Sequence, residues 1–225
     1  MEELQKLVRQ AARALGRHGL VTAYGHCSAR IDAGQFLVCT AKPMGLIQPT
    51  DVGTLVSIDG PLPEGVLGEV RAHQQIYKRR PDVNGICRIA SPFLLSMGAL
   101  GRSPKVRHGP GAYFAPSAPF WDDSRLLRSD ERAAGLADAL GNERAILMRG
   151  NGAIIAGSTL QQAAVLSWFF EDTARVELDV LKAGGEHSAP VYGDEESRER
   201  ATFEGRVVER MWDYMTDGDP ERACA

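Results

Sequence analysis

Glu69 and His73 lie four residues apart in a segment, Glu69 to Arg79, that reads as a helix, so both side chains leave the same face. A carboxylate and an imidazole so placed can move protons. The imidazole titrates near neutrality, and the carboxylate becomes a useful base once burial or neighbours tune it. Arg88, near the end of an apolar run, brings a permanent cation with only N–H donors and no lone pair for a metal. Asn151 carries an amide in the tight turn Gly150-Asn-Gly152, which lacks the lysine and serine or threonine of a phosphate-binding loop. Lys42 stands in the loop Lys42-Pro-Met-Gly45 and can attract an anionic substrate. Tyr113, Trp121 and Tyr192 fall in loops, where aromatic rings cover an apolar substrate or pack an interface. Arg107 and His108 precede a proline-rich stretch and can bind an acid. Each position also has a structural reading: a solvated glutamate at a helix start, a satisfied core histidine, an exposed lysine.

The elements that must position these groups alternate between strands and helices. Glu3 to His18 reads as a helix with an apolar stripe through Leu4, Leu7, Val8, Ala11, Ala14 and Leu15, ended by Gly19. Gly25 to Arg30 leads into a hairpin that turns at Asp32-Ala-Gly34 and returns over Gln35 to Thr40. Leu55 to Ile58 is a short strand before the turn-rich Asp59 to Gly68. After the Glu69 helix, Asp82 to Ala90 feeds a buried strand into Ser91-Pro92, where Ser91 is expected to cap a helix over Phe93 to Leu100. Gly109 to Pro119 is rich in helix breakers and reads as loop. Arg132 to Leu140 reads as a helix, Ala145 to Met148 and Ala153 to Ala156 as strands, and a helix from Thr159 extends towards Leu181. Glu195 to Tyr214 is expected as one further amphipathic helix. No internal repeat is present, and the alternation favours an α/β domain over an all-helical one.

Composition narrows the class. At 225 residues, the chain can bury a substantial core and is expected to be a single domain over 1–225, with 195–225 as a C-terminal helical appendage. A net charge of -3 gives no support for nonspecific nucleic-acid binding. No apolar stretch suits a membrane span, and the acidic, amphipathic start has no secretory core, so a cytoplasmic location is expected. Cys27, Cys39, Cys87 and Cys224 form no CxxC pair and are expected to be structural thiols.

Two stretches carry a resemblance: HQQIYKRRPDVNGICRIASP from His73 to Pro92, and LMRGNGAIIAG from Leu147 to Gly157. Together they resemble the core signature of the class II aldolase/adducin family, in particular its decarboxylase-like branch. The resemblance implies a three-layer α/β/α domain with a central mixed sheet, and a homotetramer with sites at subunit interfaces. It implies a metal held by a His-x-His pair before the Ser-Pro and by a third histidine before the later glycine. Here those positions are Arg88, Ala90 and Asn151. The resemblance also places Glu69 at the active site as acid or base. Gly25-His-Cys-Ser-Ala-Arg30 resembles the family's early substrate-binding segment, so His26 and Ser28 are expected to meet a carboxylate, hydroxyl or enolate oxygen. The loop at Lys42 departs from the phosphate-binding form of the sugar-phosphate aldolases.

These observations lead to an expected metal-independent, lyase-like enzyme without a cofactor, acting on a small anionic organic acid or keto compound through an enolate-type anion. Glu69 and His26 are expected to move the proton, with Arg88 and Asn151 stabilising charge. Ser28, Lys42, His73 and Tyr113 are expected to position the substrate. The alternatives are a noncatalytic, adducin-like scaffold, and a metal enzyme with ligands relocated among His18, His26, His73, His108 and His187.

Overall fold

Side chains alternate between the two faces of every strand, and that alternation decides which residues can reach a common site. The computed structural model describes residues 1–222. It runs through α1 (Glu2–Arg17), β1 (His26–Arg30), β2 (Gln35–Val38), β3 (Thr54–Ser57), α2 (Arg71–Arg79), β4 (Gly85–Ile89) and α3 (Pro92–Ala99). There follow β5 (Phe120–Trp121), α4 (Asp130–Leu140), β6 (Ala145–Met148), β7 (Gly152–Gly157), α5 (Leu160–Lys182), α6 (Asp194–Arg200) and α7 (Val207–Met215). The strands form one mixed sheet in the order β3-β2-β1-β4-β7-β6-β5. All neighbours are antiparallel except β5 and β6, which run parallel.

Helices cover both faces, giving the three-layer α/β/α arrangement. On one face Cys27, Cys87, Ile89, Leu147 and Ile155 pack with α1, α3 and α5. On the other, Phe36, Val56, Ile86, Ile146 and Ile154 pack with α2 and α4 through Ile76, Tyr77, Leu136 and Leu140. Cys27, Cys39 and Cys87 are buried free thiols, whereas Cys224 lies outside the described residues. Among the described residues, no helix is long and apolar enough to cross a membrane.

Three local expectations are corrected. The Ser91 side chain does not cap α3; its hydroxyl donates instead to Glu171 Oε2 at 2.5 Å. The Glu171 carboxylate itself accepts from the Phe93 and Leu94 N–H groups at 2.9 and 3.0 Å, satisfying donors that a helix start leaves open. The single helix expected over Glu195 to Tyr214 is two, because Gly205 and Arg206 both take positive φ. In the break between them, Phe203 turns inward to stack on Tyr113 at 5.0 Å. Trp121, expected in a loop, falls instead in β5, which follows the proline-rich stretch and registers Phe120 and Trp121 against Leu147 and Met148.

Residues after α7 return to α1. Arg13 Nε donates to Asp219 Oδ2 at 2.7 Å, and Arg9 Nη2 to Glu221 Oε1 at 2.7 Å. These arginines hold the Asp219 and Glu221 carboxyl groups below their ordinary values against the opposing effect of burial.

The turn into β7 has little freedom. Gly152 has φ +71°, and a Cβ there would lie 2.0 Å from the Ile89 carbonyl oxygen. Both the left-handed backbone and the close approach exclude a side chain. Gly152→Ala is therefore expected to lower unfolding free energy by more than about 2 kcal/mol, as read by urea denaturation. A loss within measurement error would show that the turn can relax.

Candidate active site

Strand alternation sends His26, Ser28 and Arg88 to the α2 face of the sheet. His26 is the direct cross-strand partner of Arg88, and Ser28 that of Ile86. From above, His73 and Tyr77 descend from successive turns of α2, four residues apart. Glu69 does not open that helix as expected. It sits in a 3-10 turn, Gly68–Val70, immediately before it, and still falls over the same patch of sheet.

The result is a cavity of about 640 Å³ lined by His26, Lys42, Glu69, Arg88, Ala90 and Asn151, with Tyr24, Leu67, Leu95, Leu126 and Arg128 among its other walls. Its size suits a small organic ligand. Glu69 Oε2 lies 3.9 Å from Arg88 Nη2 and 4.0 Å from His26 Nε2. Those separations permit electrostatic coupling but exceed direct hydrogen bonds. An oxygen atom of a ligand can therefore bind above the three groups without breaking a contact between them.

Arg88 is 5 % exposed. It donates through Nη2 to Asn151 Oδ1, and Nη1 reaches the Tyr24 carbonyl at 3.5 Å. With Asn151 Oδ1 so engaged, the amide nitrogen is left to donate elsewhere. Arg88 Nε and His26 Nε2 are buried without a partner among the described residues. Buried donors of this kind are uncommon unless a ligand or water satisfies them. Burial lowers the Arg88 pKa, while Glu69 opposes that shift.

Burial also pushes His26 well below the ordinary histidine range, aided by His73 and Arg88. His73 is lowered to about 3 by burial and then by Arg88. Both imidazoles are consequently neutral at pH 7. A neutral His26 is placed to hydrogen-bond a ligand at the cavity wall.

Not every expected residue reaches the cavity. Ser28 and His73 are completely buried behind His26 and do not line the cavity; His73 reaches His26, and Ser28 reaches His73. Tyr113 stacks between Phe169 and Phe203, donates to the Thr202 carbonyl, and lines a separate surface cleft with Arg144 and Arg198. Lys42 does line the mouth, but its ammonium pairs with Asp51 at 2.5 Å. Arg30 stacks on Tyr77 and donates to the Tyr77 and Arg80 carbonyls, closing the end of α2 rather than forming a surface ion pair. Arg107 pairs with Glu177, and His108 with Asp172, outside this cavity. Tyr77 was missed, although its spacing from His73 was a usable signal. Arg128, whose stem packs across Gly68, had none.

The metal implied by the family resemblance does not fit these residues. A guanidinium at 88 offers no lone pair, Ala90 offers no donor, and the Asn151 carbonyl is already taken by Arg88. Among the described residues, no three His, Cys, Asp or Glu side chains are grouped to hold a metal ion.

Similarity to known proteins agrees with this architecture. The Class II Aldolase and Adducin N-terminal domain matches residues 6–178. A 3,4-dihydroxyphthalate decarboxylase from Arthrobacter keyseri is 28% identical over 203 residues, covering 80% of each chain. L-fuculose 1-phosphate aldolase from Glaciozyma antarctica PI12 superposes with a TM-score of 0.78 at 19% identity, covering 95% of this chain and 88% of that one. An aldolase II superfamily protein from Pseudomonas syringae gives 0.79 at 17% identity, covering 95% of this chain and 90% of that one.

The buried histidines make stability depend on pH. Their folded pKa values lie below the unfolded value of about 6.5, so the unfolded chain binds more protons as pH falls. Their contribution is complete above that value and is lost progressively towards pH 3. Urea denaturation is expected to show stability falling between pH 7 and 5, above the main carboxylate range. His73→Gln is expected to flatten this slope; an unchanged slope would mean that His73 is not the group responsible.

Proposed function

The chain belongs to the class II aldolase/adducin family, and within it we propose a metal-independent lyase that decarboxylates a small hydroxy- or keto-acid through an enolate-type anion. One observation carries the reading: an acid–base carboxylate, Glu69, faces a buried guanidinium and a neutral imidazole across an open cavity. The relatives named as 3,4-dihydroxyphthalate decarboxylases support decarboxylation over aldol cleavage. A cavity of about 640 Å³ supports an enzyme over a scaffold whose pocket has closed.

In this mechanism Arg88 and the Asn151 amide hold the substrate oxygen on which charge develops. The bond from the substrate carbon to its carboxylate breaks, carbon dioxide leaves, and the electron pair passes into the enolate. The fixed cation and the His26 N–H lower the energy of that oxyanion, because they are already oriented and shielded from water. Glu69 takes up a proton from the substrate hydroxyl or from solvent, delivers it to carbon, and so returns to the carboxylate. The guanidinium performs the charge stabilisation, and no step passes through a metal.

Apolar side chains around the mouth, including Tyr24 at 76 % and Leu126 at 42 % exposure, support a homo-oligomer in which a neighbouring subunit covers the cavity. A homotetramer is the form we propose.

Carbon dioxide release from a panel of hydroxyaromatic and β-keto acids tests the reading, with EDTA-treated and untreated protein compared. Turnover is expected to survive chelation. Glu69→Gln is expected to lower kcat by roughly 10²–10⁴-fold and Arg88→Met by roughly 10²–10³-fold, in protein whose folding is verified by circular dichroism. Full activity in either variant removes that residue from the mechanism, and loss of turnover on chelation removes the metal-free reading.

A further inference from the structure

Behind the cavity, four buried side chains form one hydrogen-bonded series. His26 Nδ1 lies 2.8 Å from His73 Nε2, and His73 Nδ1 lies 2.7 Å from Ser28 Oγ. Ser28 Oγ lies 2.9 Å from the Tyr77 hydroxyl, which also reaches the Ser28 carbonyl at 3.1 Å. None of the four is more than 2 % exposed. The outer end is His26 Nε2, which has no hydrogen-bond partner among the described residues and faces Glu69.

Such a series has a polarity. A neutral imidazole carries one N–H, so if one nitrogen donates the other must accept. Two neutral imidazoles in line must donate in the same direction, so the histidine pair has two arrangements. In one, donation runs from Tyr77 to Ser28, to His73, to His26, and ends in an Nε2–H pointing into the cavity. In the other it runs inward from His26 Nδ1–H, and a bare Nε2 lone pair faces the Glu69 carboxylate.

The outer end of the series selects the first arrangement, and the inner end accommodates it. At the inner end, burial raises the Tyr77 pKa, so this hydroxyl keeps its proton. That proton can go to the Ser28 hydroxyl at 2.9 Å or to the Ser28 carbonyl at 3.1 Å, and the first choice is the one compatible with outward donation. Once Ser28 Oγ accepts from Tyr77, its own proton is free to go to His73 Nδ1. At the outer end, a carboxylate oxygen 4.0 Å from Nε2 attracts an N–H and repels a lone pair.

We propose that Tyr77, Ser28 and His73 are positioning residues that lock His26 in its Nε2–H form, so that it presents a hydrogen-bond donor, and never a base, to a substrate oxyanion. The lock deepens the proposed decarboxylase reading and rests on it for its purpose, but not for its measurement. It divides the site's labour. Proton transfer falls to Glu69 alone, while His26 joins Arg88 and Asn151 as a fixed source of positive potential. It also restricts the ligand class to molecules with an acceptor oxygen at this point, since a hydroxyl proton directed at Nε2 would meet another proton.

The test is the tautomer itself, read without substrate by long-range ¹H–¹⁵N correlation on ¹⁵N-histidine-labelled protein, with His26→Gln used for assignment. In the native protein, His26 is expected to show a protonated Nε2 and a bare Nδ1 unchanged from pH 8 to pH 5. In His73→Leu, His26 is expected to populate both tautomers, because its Nδ1 has lost the donor that fixes it. His73→Gln, whose amide can still donate to Nδ1, is expected to restore the native pattern. A native His26 protonated at Nδ1 overturns the proposal, and so does a native-like spectrum in His73→Leu. Should that variant fail to fold, the native and His73→Gln spectra still decide. Because no turnover is measured, an inactive protein with the expected tautomer would sink the proposed reaction while leaving the lock in place.

Discussion

The structure depends on carrying the Arg88 guanidinium in the middle of a sheet. β4 is the central strand, hydrogen-bonded on both sides, and its other residues are fully buried and apolar or small. Removing a cation from water at such a place costs several kcal/mol unless neighbouring groups compensate. Asn151, brought in by the Gly150-Asn-Gly152 turn, supplies an acceptor, and Glu69 supplies a countercharge across a gap. That compensation is incomplete in its geometry: Nε has no partner among the described residues, and Glu69 Oε2 stays 3.9 Å from Nη2. A site meant only for stability would close the pair. This one leaves a cation half-satisfied at the wall of a cavity, which is the electrostatic condition for binding an anion.

The same constraint explains the histidines. Burial penalises a second positive charge here, and Arg88 beside it adds repulsion, so His26 and His73 stay neutral. Neutrality makes their tautomers, rather than their charges, the relevant variable. Ser28 and Tyr77 then matter because they lie on the hydrogen-bonded path that leads from His26 through His73 on the α2 side. Arg30, which stacks on Tyr77 and binds the last carbonyls of α2, fixes the inner end from behind. In this way a strand motif, His26-Cys-Ser28-Ala-Arg30, is used at every second residue, each serving a different depth of one site.

Much of this was legible in the sequence where local rules operate. The strands at 26–30, 35–38, 85–89 and 145–148 and the long helix from Leu160 follow from apolar pattern and turn residues. The convergence of Glu69, Arg88, Asn151 and His26 followed from the family resemblance. The failures have a common cause, which is that a neighbour distant in sequence supplied what the local segment was expected to supply. Ser91 looked like a cap, but Glu171, 78 residues from Phe93, takes the helix N–H groups. The C-terminal periodicity looked continuous, but stacking of Phe203 on Tyr113 accompanies a break that left-handed Gly205 and Arg206 provide. Ser28 and His73 looked ligand-facing because their residue types can bind substrate. Their depth is set by how α2 sits on β1, which no single segment encodes.

A guanidinium also does a different job from a divalent metal in the same corner of the fold. A metal polarises any oxygen that enters its open coordination position and acidifies bound water. Arg88 has one unit of charge, spread over a plane, and its donors point in fixed directions with Asn151 bracing one of them. It can stabilise an oxyanion that arrives in the right plane, but it cannot generate a hydroxide nucleophile. Hydrolytic chemistry is therefore poorly served by this wall, whereas a reaction whose charge builds on one substrate oxygen and is quenched by one proton is well served. Glu69 is the only carboxylate among the cavity-lining residues, and it sits beside both the cation and the imidazole. A carboxylate, a buried guanidinium and a neutral imidazole facing one cavity are the groups that the proposed making and collapsing of an enolate would use.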